Sequence, residues 1–195
     1  MARWEPDSRG RLQQAALALY SERGFEQTTV AEIAQRAGLT ERTFFRYFAD
    51  KREVLFGGAE STTDVLVEAV AGAPEPANPL QAAGAGLVAV GAMIEGQRGR
   101  AFARRRQRII SSNDELRERE LIKLATWSEA LAAALRKRGV GSATATLAGE
   151  VGIAVFRAAF ERWVATARGP GLPELVEVTL EELDALAAAG AVSGG

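Results

Sequence analysis

The stretch TVAEIAQRAGLTERTFFRY, residues 29–47, reads as two short helices joined by a tight turn. Thr29-Val30-Ala31-Glu32 is a capping box: the threonine hydroxyl accepts from a free backbone amide and Glu32 reaches back to the amide of Thr29. The helix it opens runs to about Ala37 and breaks at Gly38, which takes a left-handed turn without steric cost. Thr40 is placed to cap a second helix. Ala34, four residues before Gly38, is small enough for the two helices to cross closely, and Ile33, Leu39 and Phe44 can fill the wedge between them. The spacing suits a helix-turn-helix, whose second helix enters the DNA major groove with its N-terminal residues at the base edges. Arg42 can pair bidentately with a guanine there, and Glu41 can accept from a cytosine amine. Thr43, Arg46, Tyr47 and Lys51 are in reach of phosphates, which fix register more than sequence. An ordinary helical hairpin with a polar surface has the same spacing, and the stretch alone does not separate the two.

Outward from it, nearly everything reads as helix. Alanine and leucine are abundant, β-branched alternation is absent, and turn residues fall one helix length apart. Leu12, Ala15, Ala16 and Leu19 make an apolar stripe on a preceding helix that Gly24 ends. Asp50-Lys51-Arg52-Glu53 has the form of a second capping box and is expected to open a long helix to about Ala71. The segment from Gly72 to Pro79 cannot stay helical, because its three prolines remove donors and restrict the residues before them. Five more helices are expected over 79–95, 98–111, 114–138, 142–168 and 173–189. Gly96/Gly99, Ser112-Asn113, Gly139/Gly141 and Gly169-Pro170-Gly171 separate them. The expectation is an all-α chain of about nine helices, divided into 1–52, 53–190 and a flexible tail over 191–195.

Composition excludes several classes. Of 195 residues, 47% are hydrophobic and 25% charged, which is enough apolar material for a core and argues against disorder. No apolar run approaches the roughly 18 residues of a membrane span, and the first residues lack the apolar stretch of a signal peptide. Zero cysteines fit a reducing interior, so the expected location is cytoplasmic, with no membrane partner. With zero histidines as well, the commonest zinc ligands, the usual general base and the thiolate nucleophile are all missing. Glu118/Glu120 and Glu181/Glu182 lie on polar helical stretches that read as solvated faces. The chain is therefore expected not to be an enzyme and to have no catalytic residue, metal or cofactor. A helical enzyme using a carboxylate or lysine is the weaker alternative. Net charge is -1, and residues 1–60 balance Arg3, Arg9, Arg11, Arg23, Arg36, Arg42, Arg46, Lys51 and Arg52 against as many carboxylates. That neutrality predicts modest non-specific affinity for DNA.

The run from Ala15 to Leu55 closely resembles the DNA-binding region of TetR-family regulators. The matching positions are Ala16, Gly24-Phe25, Thr29, Ile33-Ala34, Ala37-Gly38, Thr40, the block Thr43-Phe44-Phe45-Arg46-Tyr47-Phe48, and Lys51 before Leu55. The resemblance implies a three-helix DNA-binding domain, a connecting fourth helix, and a helical C-terminal domain that dimerises and binds a ligand. It makes Thr29 the cap and phosphate contact of the second helix. Thr40, Glu41, Arg42 and Thr43 become the start of the recognition helix, and Lys51 the phosphate contact that opens the fourth. Phe45 departs: the family usually has a tyrosine there whose hydroxyl touches a phosphate, and Phe45 can only pack against sugar. The implied function is a repressor that binds a palindromic operator as a homodimer. A small molecule would release it by favouring a conformation in which the fourth helix changes the separation of the recognition helices. A protein-interaction module on the same fold is the alternative, suggested by Phe45 and the neutral N-terminal charge.

The second half is read from its stripes. Arg98, Arg100, Arg104, Arg105, Arg106 and Arg108 crowd one helix, where they can receive an anionic ligand or pair with Glu115, Glu118 and Glu120. Arg104-Arg105-Arg106 together with Leu121 to Trp127 resembles a TetR subgroup carrying the same FFRYF block, some members of which sense acyl-coenzyme A thioesters. The expected effector is accordingly an apolar small molecule with an anionic group. Its pocket is expected to use Val88, Met93, Phe102, Arg106, Trp127, Phe156 and Phe160. Small residues between Ala82 and Ala92, with Gly84, Gly86 and Gly91, leave room either for a cavity or for tight helix packing. Helix 142–168 is apolar on two sides, which suits a position between its own core and a partner. The expected dimer interface is Leu147, Val151, Ala154 and Ala158 with Val176, Leu180 and Leu183 of the last helix.

Overall fold

The computed structural model describes residues 7–57 and 59–192, and all its regular structure is helical. Eight α-helices and one 3-10 turn follow in order among these residues: α1 (Ser8–Arg23), α2 (Val30–Arg36), α3 (Glu41–Tyr47), the turn Glu53–Leu55, α4 (Ala59–Ala71), α5 (Pro79–Ser111), α6 (Asp114–Lys137), α7 (Ser142–Ala165) and α8 (Leu172–Val192). Arg3, the side chain of Arg98 and residues 193–195 of the expected tail lie outside the described residues. The chain forms two compact units. One holds the N-terminal segment with Arg105–Leu121, and the other holds 59–104 with the chain from Ile122 on.

In the first unit, local chemistry sets the helix ends. Asp7 accepts from the amide of Gly10 at 2.8 Å and caps α1. Gly24, at φ 86, ends it with its amide on the Tyr20 carbonyl. Both arms of the Thr29–Glu32 capping box are formed. Gly38, at φ 66, turns the chain into α3, and the amide of Leu39 donates to the Ala34 carbonyl at 2.8 Å across that turn. Leu12, Ala16, Ile33, Ala34 and Phe44 are buried to within 1% of completely. Phe44 is the one buried residue of α3.

The expected long helix from residue 50 does not form. Asp50 does cap, accepting from the amides of Arg52 (2.8 Å) and Glu53 (3.1 Å), but what it caps is the 3-10 turn. Gly57-Gly58 is a poor helical pair, and a Cβ at Gly57 would lie 2.5 Å from the Phe48 ring. The helix therefore restarts at Ala59. Val54 and Leu55 are buried in the first unit, so the expected boundary at 52 falls inside it. The end of α5 and the start of α6 complete this unit. Arg106 Nε donates to the Leu55 carbonyl at 2.8 Å with its guanidinium 4.8 Å over the Phe56 ring. Arg119 pairs with Glu53, and Asn113 Nδ2 donates to Glu26 at 2.9 Å.

In the second unit, the proline-rich segment separates α4 from α5 as expected. The guanidinium of Arg138 covers the carbonyls of Val70, Ala71 and Ala73 at 3.0–3.2 Å, satisfying acceptors that the end of α4 leaves open. Residues 79–111 form one helix interrupted only at Gly99 (φ 71), rather than two helices parted at Gly96 and Gly99. The small residues of α5 serve close packing: a Cβ at Gly84 would lie 2.6 Å from Leu180, and one at Gly86 2.9 Å from Val70. Gly149 lets α7 approach α6 likewise, its Cβ position 2.7 Å from the Ser128 carbonyl. By length and composition α7 is apolar enough to cross a membrane. Its apolarity is accounted for inside the fold, where Ala145, Ile153, Val155, Phe156, Ala159 and Trp163 are buried.

Because Phe44 alone anchors α3, Phe44→Ala is expected to cost about 3–5 kcal/mol, read as a lower denaturant midpoint. A loss below about 1 kcal/mol would contradict the anchoring role.

Candidate DNA-reading surface

The outer face of α3 is held from both ends. Thr40 accepts from the amide of Thr43 at 3.2 Å, with the two hydroxyls 3.0 Å apart. Phe44 packs beneath, edge-on to Phe45 (5.5 Å) and against Phe48 (5.4 Å). Thr40, Glu41, Arg42, Phe45, Arg46 and Tyr47 are consequently exposed, and Thr43 is half-buried. Among the described residues, nothing hydrogen bonds or ion-pairs with Glu41 or Arg42. Arg46 lies over the Tyr47 ring at 4.8 Å and donates to its hydroxyl at 2.9 Å, presenting one combined polar group. Phe45 is 54% exposed, an unusual setting for an apolar ring and one that leaves it available to a partner.

Carboxylates neutralise arginines that lie elsewhere. Arg36 makes a bidentate pair with Glu22 at 2.6 and 2.7 Å. Arg23 pairs with Glu32 at 2.9 Å, and Arg52 with Asp50 at 2.6 Å. The hydrogen bond from Arg36 holds Glu22 below its ordinary pKa, and the amide and hydroxyl of Thr29 do the same for Glu32. Against the desolvation of partial burial, hydrogen bonds from Arg52 and the amide of Glu53 keep Asp50 low as well. The balanced charge of the N-terminal segment thus hides an uneven display, with Arg42 and Arg46 outside these pairs.

Two expected roles change. Lys51 is drawn inward: its Nζ donates to the carbonyls of Phe25 (3.0 Å), Thr28 (3.2 Å) and Glu26 (3.3 Å) and sits 4.3 Å over the Phe25 ring. It locks the turn between α1 and α2 instead of pointing outward to a phosphate. Thr29 is exposed but already engaged with Glu32 in the capping box. Tyr20, whose hydroxyl donates to the Lys51 carbonyl at 2.6 Å, closes the same corner, and burial pushes its pKa upward. Sequence carried no signal for this, because the three carbonyl acceptors lie 23 to 26 residues away.

Of the expected pocket residues, Trp127, Phe156 and Phe160 form one aromatic run, with centroids 5.5 and 6.1 Å apart. Val88, Met93 and Phe102 are half-buried. Arg106 does not serve there. Its guanidinium is committed to the Leu55 carbonyl and to Glu120 at 3.3 Å, and burial lowers its pKa against the opposing pull of that carboxylate. The anionic group expected on the effector loses its reason. Of the expected dimer residues, Leu147 is 65% exposed, Ala154 and Ala158 are exposed, and Val151, Leu180 and Leu183 are half-buried. Val176 is 0% exposed in its own core and so is closed to a partner.

A capped recognition helix with an outward Arg42, on a three-helix unit continued into a helical second unit, defines a helix-turn-helix transcriptional regulator. Comparison with known proteins gives the family. Residues 12–56 match the bacterial regulatory proteins of the tetR family, and residues 77–188 match the MftR C-terminal domain. The chain belongs to the TetR family. It is 36% identical over 91 residues to the HTH-type transcriptional regulator TcmR of Streptomyces glaucescens, a match spanning 46% of this chain and 40% of that one. It is 28% identical over 152 residues, 76% of each chain, to MftR of Mycobacterium tuberculosis, a protein named for the regulation of mycofactocin biosynthesis. Solved structures share the fold. Thermus thermophilus FadR in complex with lauroyl-CoA has a TM-score of 0.54 at 23% identity over 89% of this chain and 91% of that one. SmeT of Stenotrophomonas maltophilia in complex with triclosan has a TM-score of 0.58 at 18% identity over 90% of each chain.

The folded-state pKa of Glu32 lies below its unfolded value, so its stabilisation is present above the ordinary carboxylate range and is lost as pH falls through the folded value. Thermal melts between pH 7 and 3 should fall less steeply for Glu32→Gln than for wild type, and equal slopes would remove the capping box from the acid response. Lys51→Met should cost roughly 1–3 kcal/mol without any DNA present. An unchanged melting temperature with weakened DNA binding would return Lys51 to the phosphate.

Proposed function

We propose that the protein is a ligand-responsive repressor that binds a palindromic operator as a homodimer and is released by an apolar small molecule held in its second unit. The observation that carries this reading is the exposed Thr40–Tyr47 face, fixed by the buried Phe44 and presenting an unpaired Arg42. Arg42 and Glu41 read base edges in the major groove, while Thr43, Arg46 and Tyr47 meet phosphates. Thr29 and Lys51 act behind them as fixtures of the turn. Phe45 lies against sugar.

The dimer reading rests on α7. Its inner face is buried, yet Leu147, Val151, Ala154 and Ala158 repeat at helical spacing on a side that is open or half-open. Leu180 and Leu183 extend this surface from α8. A two-fold interface here pairs each residue with its own copy, and the symmetry of the protein is matched by that of the operator. Apolar effectors of quite different chemistry are bound by FadR and SmeT, and the aromatic run around Phe156 offers this chain a comparable setting. Ligand acts only through different affinities for the DNA-bound and released conformations. A repressor works where the chromosome lies, which for a bacterial protein is the cytoplasm.

Selection from random duplex DNA with purified protein should enrich a palindrome. Absence of enrichment from folded protein across a range of salt would overturn operator binding. Leu147→Glu should shift the protein to monomer in sedimentation and lose the palindrome while keeping its helical content; an unchanged dimer would move the interface elsewhere. Phe45→Tyr should restore one phosphate hydrogen bond and tighten binding by about 1 kcal/mol, measured by titration of the selected operator.

A further inference from the structure

Two donors inside the second unit have no acceptor. The indole N–H groups of Trp127 and Trp163 are both closed off from solvent, and neither meets a hydrogen-bond partner among the described residues. Buried polar groups in folded proteins are almost always paired, so each such donor calls for a reason.

The two indoles end an aromatic ladder. Trp127 of α6 stands edge-on to Phe156 at 5.5 Å, Phe156 stacks on Phe160 at 6.1 Å, and Phe160 tilts against Trp163 at 5.8 Å. Phe156, Phe160 and Trp163 are four and three residues apart, which puts them along one face of α7. Phe156 and Trp163 are buried, whereas Phe160 and Trp127 are partly open to solvent. The ladder therefore runs from the margin of the core into its interior. Trp127 carries the telling feature. A tryptophan at a margin ordinarily buries its ring and turns its N–H to water. Here part of the residue is open while the N–H faces inward.

Neighbouring charges are already matched. Arg100 lies 5.5 Å over the Trp163 ring, but its guanidinium donates to the Thr166 hydroxyl at 3.3 Å, to the Gly169 carbonyl at 3.0 Å and to the Pro170 carbonyl. Ser128, beside Trp127, donates to Glu150 at 2.7 Å. Such surroundings suit a neutral acceptor better than an anion, and aromatic faces and edges suit a flat ring.

We propose that this ladder is a binding site for a neutral, flat aromatic compound bearing carbonyl oxygen, which accepts from the indole N–H of Trp127 and from that of Trp163. The site rests on the reading of the second unit as an effector domain and names the chemistry of its ligand. It does not depend on operator binding.

The chain has three tryptophans, so its nitrogen-15 spectrum should hold three indole signals. Trp127→Phe and Trp163→Phe assign two by deletion, and Trp4 supplies the third as a control. The probes are 1-indanone and indane, the same ring system with and without a carbonyl. Titration of the full chain with indanone should move the Trp127 and Trp163 indole protons downfield to saturation, and indane should not. Trp127→Phe should weaken indanone binding about threefold to tenfold and leave indane binding unchanged. Failure of indanone to bind, equal responses to both probes, or free-protein signals already downfield and unmoved would each overturn the site. If Trp163→Phe does not fold, wild type and Trp127→Phe carry the test. Enrichment of a palindrome by a protein whose indole signals ignore indanone would leave the repressor reading standing and remove this site alone.

Discussion

Phe44 is the only side chain that the seven-residue α3 commits to the interior. A helix of two turns is unstable by itself, so its position depends on this ring, on the cap at Thr40 and on the left-handed Gly38 that turns the chain into it. Burial of one large aromatic side chain contributes roughly 2–3 kcal/mol. Everything α3 presents outward follows from that one inward contact. Because Phe44 faces in, Glu41, Arg42 and Phe45 face out, and the spacing between anchor and reading residues is set within a single turn of helix.

Charge shows the same economy of placement. Glu22, Glu32 and Asp50 pair with Arg36, Arg23 and Arg52, and the mostly exposed bridges among these contribute little to stability. Their consequence is spatial. They neutralise cations away from α3 and leave Arg42 unmatched, so a segment with no net charge still offers a guanidinium where base edges would lie. Lys51 is the opposite case. Three carbonyls and the Phe25 ring hold it, and it stabilises the turn that carries α2.

How much of this was legible followed from range. The capping box at Thr29, the turn at Gly38, the Thr40 cap and the break before Pro79 are local, and each stands where the residues indicated. Asp50 was legible as a cap but not in what it caps, since the 3-10 turn depends on Gly57 filling space beside Phe48. Gly96 and Gly99 looked alike, yet only Gly99 takes a positive φ. The small residues of α5 were ambiguous until Leu180 and Val70 were seen against them. Lys51, Arg106, Arg138 and Val176 were misread or missed for one reason: their partners lie 14 or more residues away, or the residue is enclosed by elements that periodicity cannot assign. A buried arginine on a carbonyl and a solvated one have the same sequence signature.

The account depends most on Arg42 being a reader of bases and not merely an exposed cation. The direct measurement is the ratio of affinities for operator and scrambled duplex, taken for wild type and Arg42→Ala at the same salt concentrations. The account predicts that the variant loses about 1–3 kcal/mol of discrimination while its melting temperature stays the same. A variant that weakens equally on both duplexes, with its discrimination intact, would show that Arg42 touches phosphate and that some other residue reads the bases.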